Sequence, residues 1–148
     1  MTGDPLKYQS CPLPGRSVNQ SEAVRRMLDA QRVAVVGLSD DPSRPSFGVA
    51  KYLQSVGKEI IPINPKLNSV LGVKCYARLE DVPGQIDLVD VFRRPEFCPQ
   101  IVRSAIGVKA GGVWLQSGVI SAEAEMIARE AKMPFVQDRC LMVEHIRG

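Results

Sequence analysis

Five short apolar runs recur along the chain, and helix-like stretches lie between them; that alternation constrains the fold more than any other feature. The runs are RVAVVGL at 32–38, EIIPIN at 59–64, IDLVDVF at 86–92, GGVWLQ at 111–116 and PFVQ at 134–137. Nearly continuous apolar runs suit strands covered on both faces, the condition of a parallel sheet. A first helix precedes them, with Asn19 as its cap, Glu22 three positions later and Val24, Met27 and Leu28 on one face. After the first run Ser46 is a candidate N-cap, and Val49, Leu53 and Val56 mark a helical face that ends at Gly57. The spacing predicts a further helix over about 96–105, its start confined by Pro99. Ser121 caps a helix whose Ala124, Ile127, Ala128 and Ala131 form a stripe. Residues 73–75 are predicted to form a short strand, between turn signals at Gly72 and Pro83-Gly84.

Strands alternating with helices imply right-handed crossovers. The expected fold is therefore α/β: a three-layer, doubly wound domain with a mainly parallel sheet of five to six strands. Residues 1–18, rich in Pro, Gly and Ser, read as an irregular arm, and 19–148 as a single domain. A chain of 148 residues is long enough for one such core.

Charge and composition exclude some functions. A net charge of +3, with no run of Lys or Arg, permits an anionic small ligand but gives no footprint for nucleic acid. No apolar run reaches the roughly 18 residues that span a bilayer, and MTGDPLKYQSCPLPG lacks the apolar core of a signal peptide. A cytoplasmic protein away from membranes is expected. Its four cysteines (Cys11, Cys75, Cys98 and Cys140) form no C-x-x-C pair, and there is one histidine. They read as free thiols of a reducing compartment rather than as zinc ligands.

In open α/β sheets ligands lie beyond the carboxyl ends of the strands. That rule selects Gly37, Ser39, Arg44, Pro45 and Ser46 after the first run, then Asn64, Pro65 and Lys66, then Arg93 and Arg94, then Ser117 and Gly118, and last Asp138, Arg139 and Cys140. The first loop lacks the G-x-G-x-x-G spacing of a dinucleotide turn. Its Arg44 and the helix start at Ser46 suit a phosphate, although Pro45-Ser46 also reads as a plain helix start. The second loop carries Lys66 where an NAD site usually places an acidic ribose clamp. That favours a phosphorylated ribose, as in NADP or coenzyme A, over NAD, with an exposed turn lysine as the competing reading. Arg93 and Arg94 suit phosphate or a ligand carbonyl, or else pair with Asp90 or Glu96. Trp114 reads as core, and Gly118 as a site of close backbone approach or of a positive φ. Cys140 reads first as structural, with a reactive thiol beside Arg139 as the second reading.

The segments VAVVGLSDDPSRPSFGVAKYL, IIPINP, DLVDVFRRPE, VWLQSGV and DRCLMVEH occur in that order. Together they resemble the small stand-alone CoA-binding proteins of bacteria and archaea. Those proteins are similar to the CoA-binding, Rossmann-like domain of the succinyl-CoA synthetase alpha subunit. The likeness extends over about 19–147. It implies that the first loop (Ser39, Arg44, Ser46) holds CoA phosphates, that Lys66 lies by the nucleotide, and that Phe92, Arg93 and Arg94 line the rest of the ligand. Gln116 and Gly118 stand where the enzyme has a Glu-Gly pair. The enzyme's first loop is richer in glycine, and its second domain and phosphohistidine loop have no counterpart here. The resulting expectation is a stand-alone module that binds coenzyme A or an acyl-CoA, with no catalytic residue assigned and the protein partner unknown. The alternative is an NADP-dependent oxidoreductase or a small enzyme acting on acyl-CoA.

Overall fold

The structure, a computed structural model, describes residues 22–148. The expected N-terminal arm at 1–18 and the Asn19 cap lie outside the described residues. A first helix, α1, covers 22–28. The remaining order is β1 (Arg32–Val36), α2 (Pro45–Ser55), β2 (Glu59–Ile63), β3 (Ser69–Val70), β4 (Val73–Lys74), β5 (Leu88–Val91), α3 (Cys98–Gly107), β6 (Val113–Leu115), α4 (Ala122–Glu130), β7 (Phe135–Val136) and α5 (Leu141–Arg147).

The main sheet has five strands in the order β2-β1-β5-β6-β7, and all pair in parallel. The expected fold class holds, with five strands and a wholly parallel sheet. The chain runs from β1 outward to β2, then returns to the other side of β1 to lay down β5. The topological switch point, where such folds bind ligands, is therefore the crevice between the carboxyl ends of β1 and β5.

Strand alternation fills both faces. Val33, Val35, Leu88, Trp114 and Val136 pack with Met27, Val49, Leu53 and Leu141, and so with α1, α2 and α5. Ala34, Val36, Ile61, Val89, Val113 and Leu115 pack with Val102, Ala105, Ala124 and Ala128 of α3 and α4. Trp114, fully buried, sits in the first of these layers, and its indole Nε1 donates to Arg139 O at 2.8 Å. An aromatic with a polar edge is held in a core when that edge finds a partner.

Three local expectations change. The strand expected at 73–75 exists as Val73–Lys74, but it pairs antiparallel with Ser69–Val70 and stands apart from the main sheet. Its turn, Leu71-Gly72, has positive φ at both residues, the geometry that matches the twist of a two-residue hairpin. The helix predicted over 96–105 is Cys98–Gly107, after a 3-10 turn at Pro95–Phe97, so Pro99 falls in its first turn. Ser46 does not cap α2. The helix starts at Pro45, the cap position is Arg44, and no side chain bonds there. Ser121 does cap α4, accepting from Ala124 N at 3.0 Å. The last segment, for which the sequence announced no element, is the helix α5, and His145 on it meets the Tyr52 hydroxyl through Nδ1 at 2.7 Å.

Candidate ligand site at the switch point

The residues immediately past β1, β5 and β6 are Gly37, Phe92 and Gln116. Backbone bonds carry the strand register into this row: Phe92 N donates to Val36 O at 2.9 Å, and Gln116 N to Val91 O at 3.2 Å. The row floors an open pocket of about 940 Å³. Gly37 lets the two switch-point loops touch. Its φ is +84°, and a Cβ on it would fall 2.6 Å from Phe92 O and 2.9 Å from Arg93 Cδ. Glycine meets both demands, a positive φ and an absent side chain.

On one side the pocket is walled by the first loop and the start of α2, through Ser39, Arg44, Pro45 and Ser46. The loop is tied by its own polar groups. Ser39 N donates to Ser46 Oγ at 3.0 Å, and Asp41 N to Ser39 Oγ at 3.0 Å. Asp41 Oδ1 accepts from Ser43 N and Oγ, and these bonds hold its carboxyl below the usual range. Ser46 thus closes the loop from seven residues away instead of capping its helix. With no side-chain cap and no acidic residue in its first turn, α2 leaves the Ser46 N–H without a partner among the described residues at the pocket wall, since Pro45 has no N–H and Phe47 N donates to Arg44 O at 3.1 Å; Arg44 stands exposed beside it.

The third loop adds Phe92, Arg93 and Arg94. Among the described residues neither arginine pairs with a carboxylate. Both stack instead on Phe97, Arg93 Cζ at 4.2 Å and Arg94 Cζ at 5.7 Å from the ring centroid. The pairing with Asp90 or Glu96 is therefore not formed. Asp90 lies one pleat below Phe92 on the same face, in the row Val35–Asp90–Trp114. It is fully buried, neither carboxylate oxygen has a partner among the described residues, and burial pushes its carboxyl well above the usual range.

The fourth loop brings Gln116 and Gly118, the latter with φ +84° as its positive-φ reading requires. The Gln116 carbonyl Oε1 accepts from Leu141 N at 3.1 Å and so holds the start of α5. Asp138, also selected at a strand end, accepts from Gly118 N at 2.8 Å.

Asn64, Pro65 and Lys66 do not line this pocket. The Asn64 side chain donates to Leu38 O at 3.0 Å and accepts from Lys66 N at 2.9 Å, so it shapes the turn. Pro65 lines an adjoining hollow of about 340 Å³ that shares Arg93 with the larger pocket, and Lys66 is exposed at the end of β2. Sequence reasoning missed Val49, Val119 and Met142, which supply apolar wall. Met142 was hidden because no helix was expected there.

The family model described as "CoA binding domain" matches residues 31–146. The chain belongs to that family. This CoA-binding domain is 40% identical over 129 residues to the protein YneT of Bacillus subtilis, covering 86% of the chain and 96% of the relative. It superposes on a hypothetical protein of Pyrococcus horikoshii with a TM-score of 0.83 at 35% identity, over 95% of this chain and 98% of that one. It is also similar to the ADP-forming acetate–CoA ligase of Methanocaldococcus jannaschii, 26% identical over 117 residues, 74% of this chain but 17% of the ligase. The domain thus occurs both as small proteins of this size and as a minor part of much larger ligases.

Proposed function

We propose that the protein binds coenzyme A, free or as an acyl thioester, as a binding module in its own right. The observation that carries this reading is the start of α2. Uncapped, free of acidic residues and flanked by Arg44, it opens into the pocket at the switch point, and Arg93 and Arg94 stand across the floor. The positive end of a helix, the Ser46 N–H and guanidinium forks in that arrangement suit a pyrophosphate. Pyrophosphate alone does not separate CoA from other dinucleotide-like ligands. Two further features favour CoA: the family to which the chain belongs, and the cation Lys66, in place of an acidic ribose clamp, at the end of β2.

The apolar wall of Val49, Val119 and Met142 suits a long, weakly polar arm better than a second nucleotide. Cytoplasmic residence belongs to the same proposal, supported by free thiols at Cys75, Cys98 and Cys140. Among the described residues no helix is long and apolar enough to cross a membrane.

Titration calorimetry with CoA, acetyl-CoA, NAD, NADP and ATP tests the reading. CoA or acetyl-CoA is expected to bind most tightly. NAD binding as tight as CoA binding overturns the proposal, and NADP binding tighter than CoA binding selects the oxidoreductase alternative.

A further inference from the structure

Cys140, in the segment 138–141, stands at the far wall of the pocket, and β6 with its loop holds the residues on either side of it. Gly118 N donates to Asp138 Oδ1 at 2.8 Å, Arg139 N to Leu115 O at 3.4 Å, Trp114 Nε1 to Arg139 O at 2.8 Å and Leu141 N to Gln116 Oε1 at 3.1 Å. Cys140, fixed between these anchors, is half-buried and lines the pocket. The other described thiols are elsewhere. Cys75 and Cys98 are buried, and burial pushes Cys98 up to about 11.

Gln116 points independently to a ligand at this wall. It is 5% exposed. A backbone N–H only donates, so the Gln116 atom facing Leu141 N is the carbonyl oxygen, and the NH2 group is turned the other way. Among the described residues that NH2 finds no acceptor, and its residue lines the pocket beside Cys140. A donor so placed, on a side chain otherwise held in the core, suits a carbonyl from a bound molecule.

The spacing of the strands sets a ruler. Neighbouring strands lie about 4.8 Å apart, so β6 is roughly 10 Å and β7 roughly 14 Å from β1, where the phosphates are proposed to sit. In an extended phosphopantetheine arm the second amide carbonyl lies about nine bonds, or ~10 Å, from the phosphorus. The sulfur lies about thirteen bonds, or ~15 Å, away. The carbonyl falls at Gln116, and the sulfur reaches past it toward the segment after β7 that carries Cys140.

We infer that Cys140 is a thiol-exchange site for CoA disulfides, with the Gln116 NH2 donating to the arm's amide carbonyl. The inference rests on the CoA reading of the pocket. In the exchange the Cys140 thiolate attacks the CoA-side sulfur of a low-molecular-weight CoA disulfide. That disulfide breaks, the Cys140–CoA disulfide forms, and the departing thiolate leaves with the electron pair and takes up the proton that Cys140 released. One disulfide replaces another, so no further oxidant is needed.

The test is intact-mass measurement and peptide mapping of the reduced full chain, incubated with CoA disulfide or, at equal concentration, glutathione disulfide. The expected result is one CoA adduct, on Cys140, formed at least about tenfold faster than the glutathione adduct because binding holds the reactants together. Cys140→Ser abolishes it. Gln116→Glu slows it, since a carboxylate oxygen replaces the NH2 while the acceptor for Leu141 remains. Equal rates with the two disulfides, a first adduct on Cys11, or no adduct overturns the inference. Calorimetry of CoA with Cys140→Ser separates the two claims. Tight binding without an adduct on the native chain sinks the exchange site alone, whereas no binding to either protein sinks the CoA reading and the exchange site with it.

Discussion

The side-chain carbonyl of Gln116 accepts a hydrogen bond from the backbone N–H of Leu141 at 3.1 Å, which ties the end of β6 to the start of α5. Both residues are buried, and Cys140, at the cap position of α5, makes no capping bond with its side chain. Truncating Gln116 therefore strands a buried donor. Gln116→Ala is expected to cost about 1–3 kcal/mol, read by urea melting, and to speed amide exchange at Leu141 while leaving Val102, on the opposite face, protected. Unchanged exchange at Leu141 would show that α5 is held by its packing alone.

A second prediction concerns Lys66. CoA differs from dephospho-CoA by the 3′-phosphate on its ribose, and β2 ends by the ribose in folds of this kind. Lys66 is exposed, so solvent screening holds its effect to the low end of a charge-assisted bond. Lys66→Ala is expected to weaken CoA about tenfold, or ~1.4 kcal/mol, and to leave dephospho-CoA almost unchanged. Arg44→Ala is expected to weaken both, because both carry the pyrophosphate. Calorimetry with the two ligands decides; equal losses from Lys66→Ala would remove that lysine from the ribose.

Asp90 makes stability depend on pH. Its folded-state carboxyl lies well above the usual range because burial opposes the charge. The folded state therefore keeps a proton that the unfolded chain releases near pH ~3.9. The resulting stability is fully present below that pH and is lost as pH rises toward the folded-state value. Asp90→Asn removes the titration. Relative to the native chain, the variant should gain stability steadily from pH 4 upward, by at most ~1.4 kcal/mol per pH unit, and show no such gain below pH 4. Urea melts at several pH values measure it, and a difference that stays constant across them refutes the assignment.

Gly37 is expected to be intolerant of any side chain. A positive φ costs an L-residue about 1–2 kcal/mol, and here the added Cβ would also press on Phe92 O and Arg93 Cδ. Gly37→Ala should lose at least ~2 kcal/mol, lowering Tm by roughly 4–8 °C, and should weaken CoA because it pushes apart the two loops that floor the pocket. A variant with native Tm would mean that the β5 loop yields cheaply.

The sheet was legible because its runs are nearly pure β-branched and aliphatic residues, and the location of the pocket followed from strand ends alone. What was not legible depends on contacts distant in sequence. Ser46 has the residue type and place of a cap, yet its hydroxyl is taken by Ser39 N across the loop. LMVEHIR carries no cap and too few turns to announce a helix; α5 exists because Gln116 and the layer around Leu53 receive it. Asp90 is a lone acidic residue within an apolar run, and only the helices laid over both faces reveal that it is dry. Lys66 was grouped with the pocket because the rule of strand ends treats every loop alike, whereas the Asn64 turn leaves it outside.

Trp114 is the chain's sole tryptophan, and its indole is bonded to the carbonyl of the residue just before Cys140. The protein therefore contains its own optical reporter. Shielded from water, the indole should emit at short wavelength and resist quenching by iodide or acrylamide. Yet its one polar atom is attached to the wall that a ligand's arm would press against. Anything that shifts the 138–141 segment must bend or break that bond and change the emission, so occupancy of the far end of the pocket can be followed in stopped flow without a label.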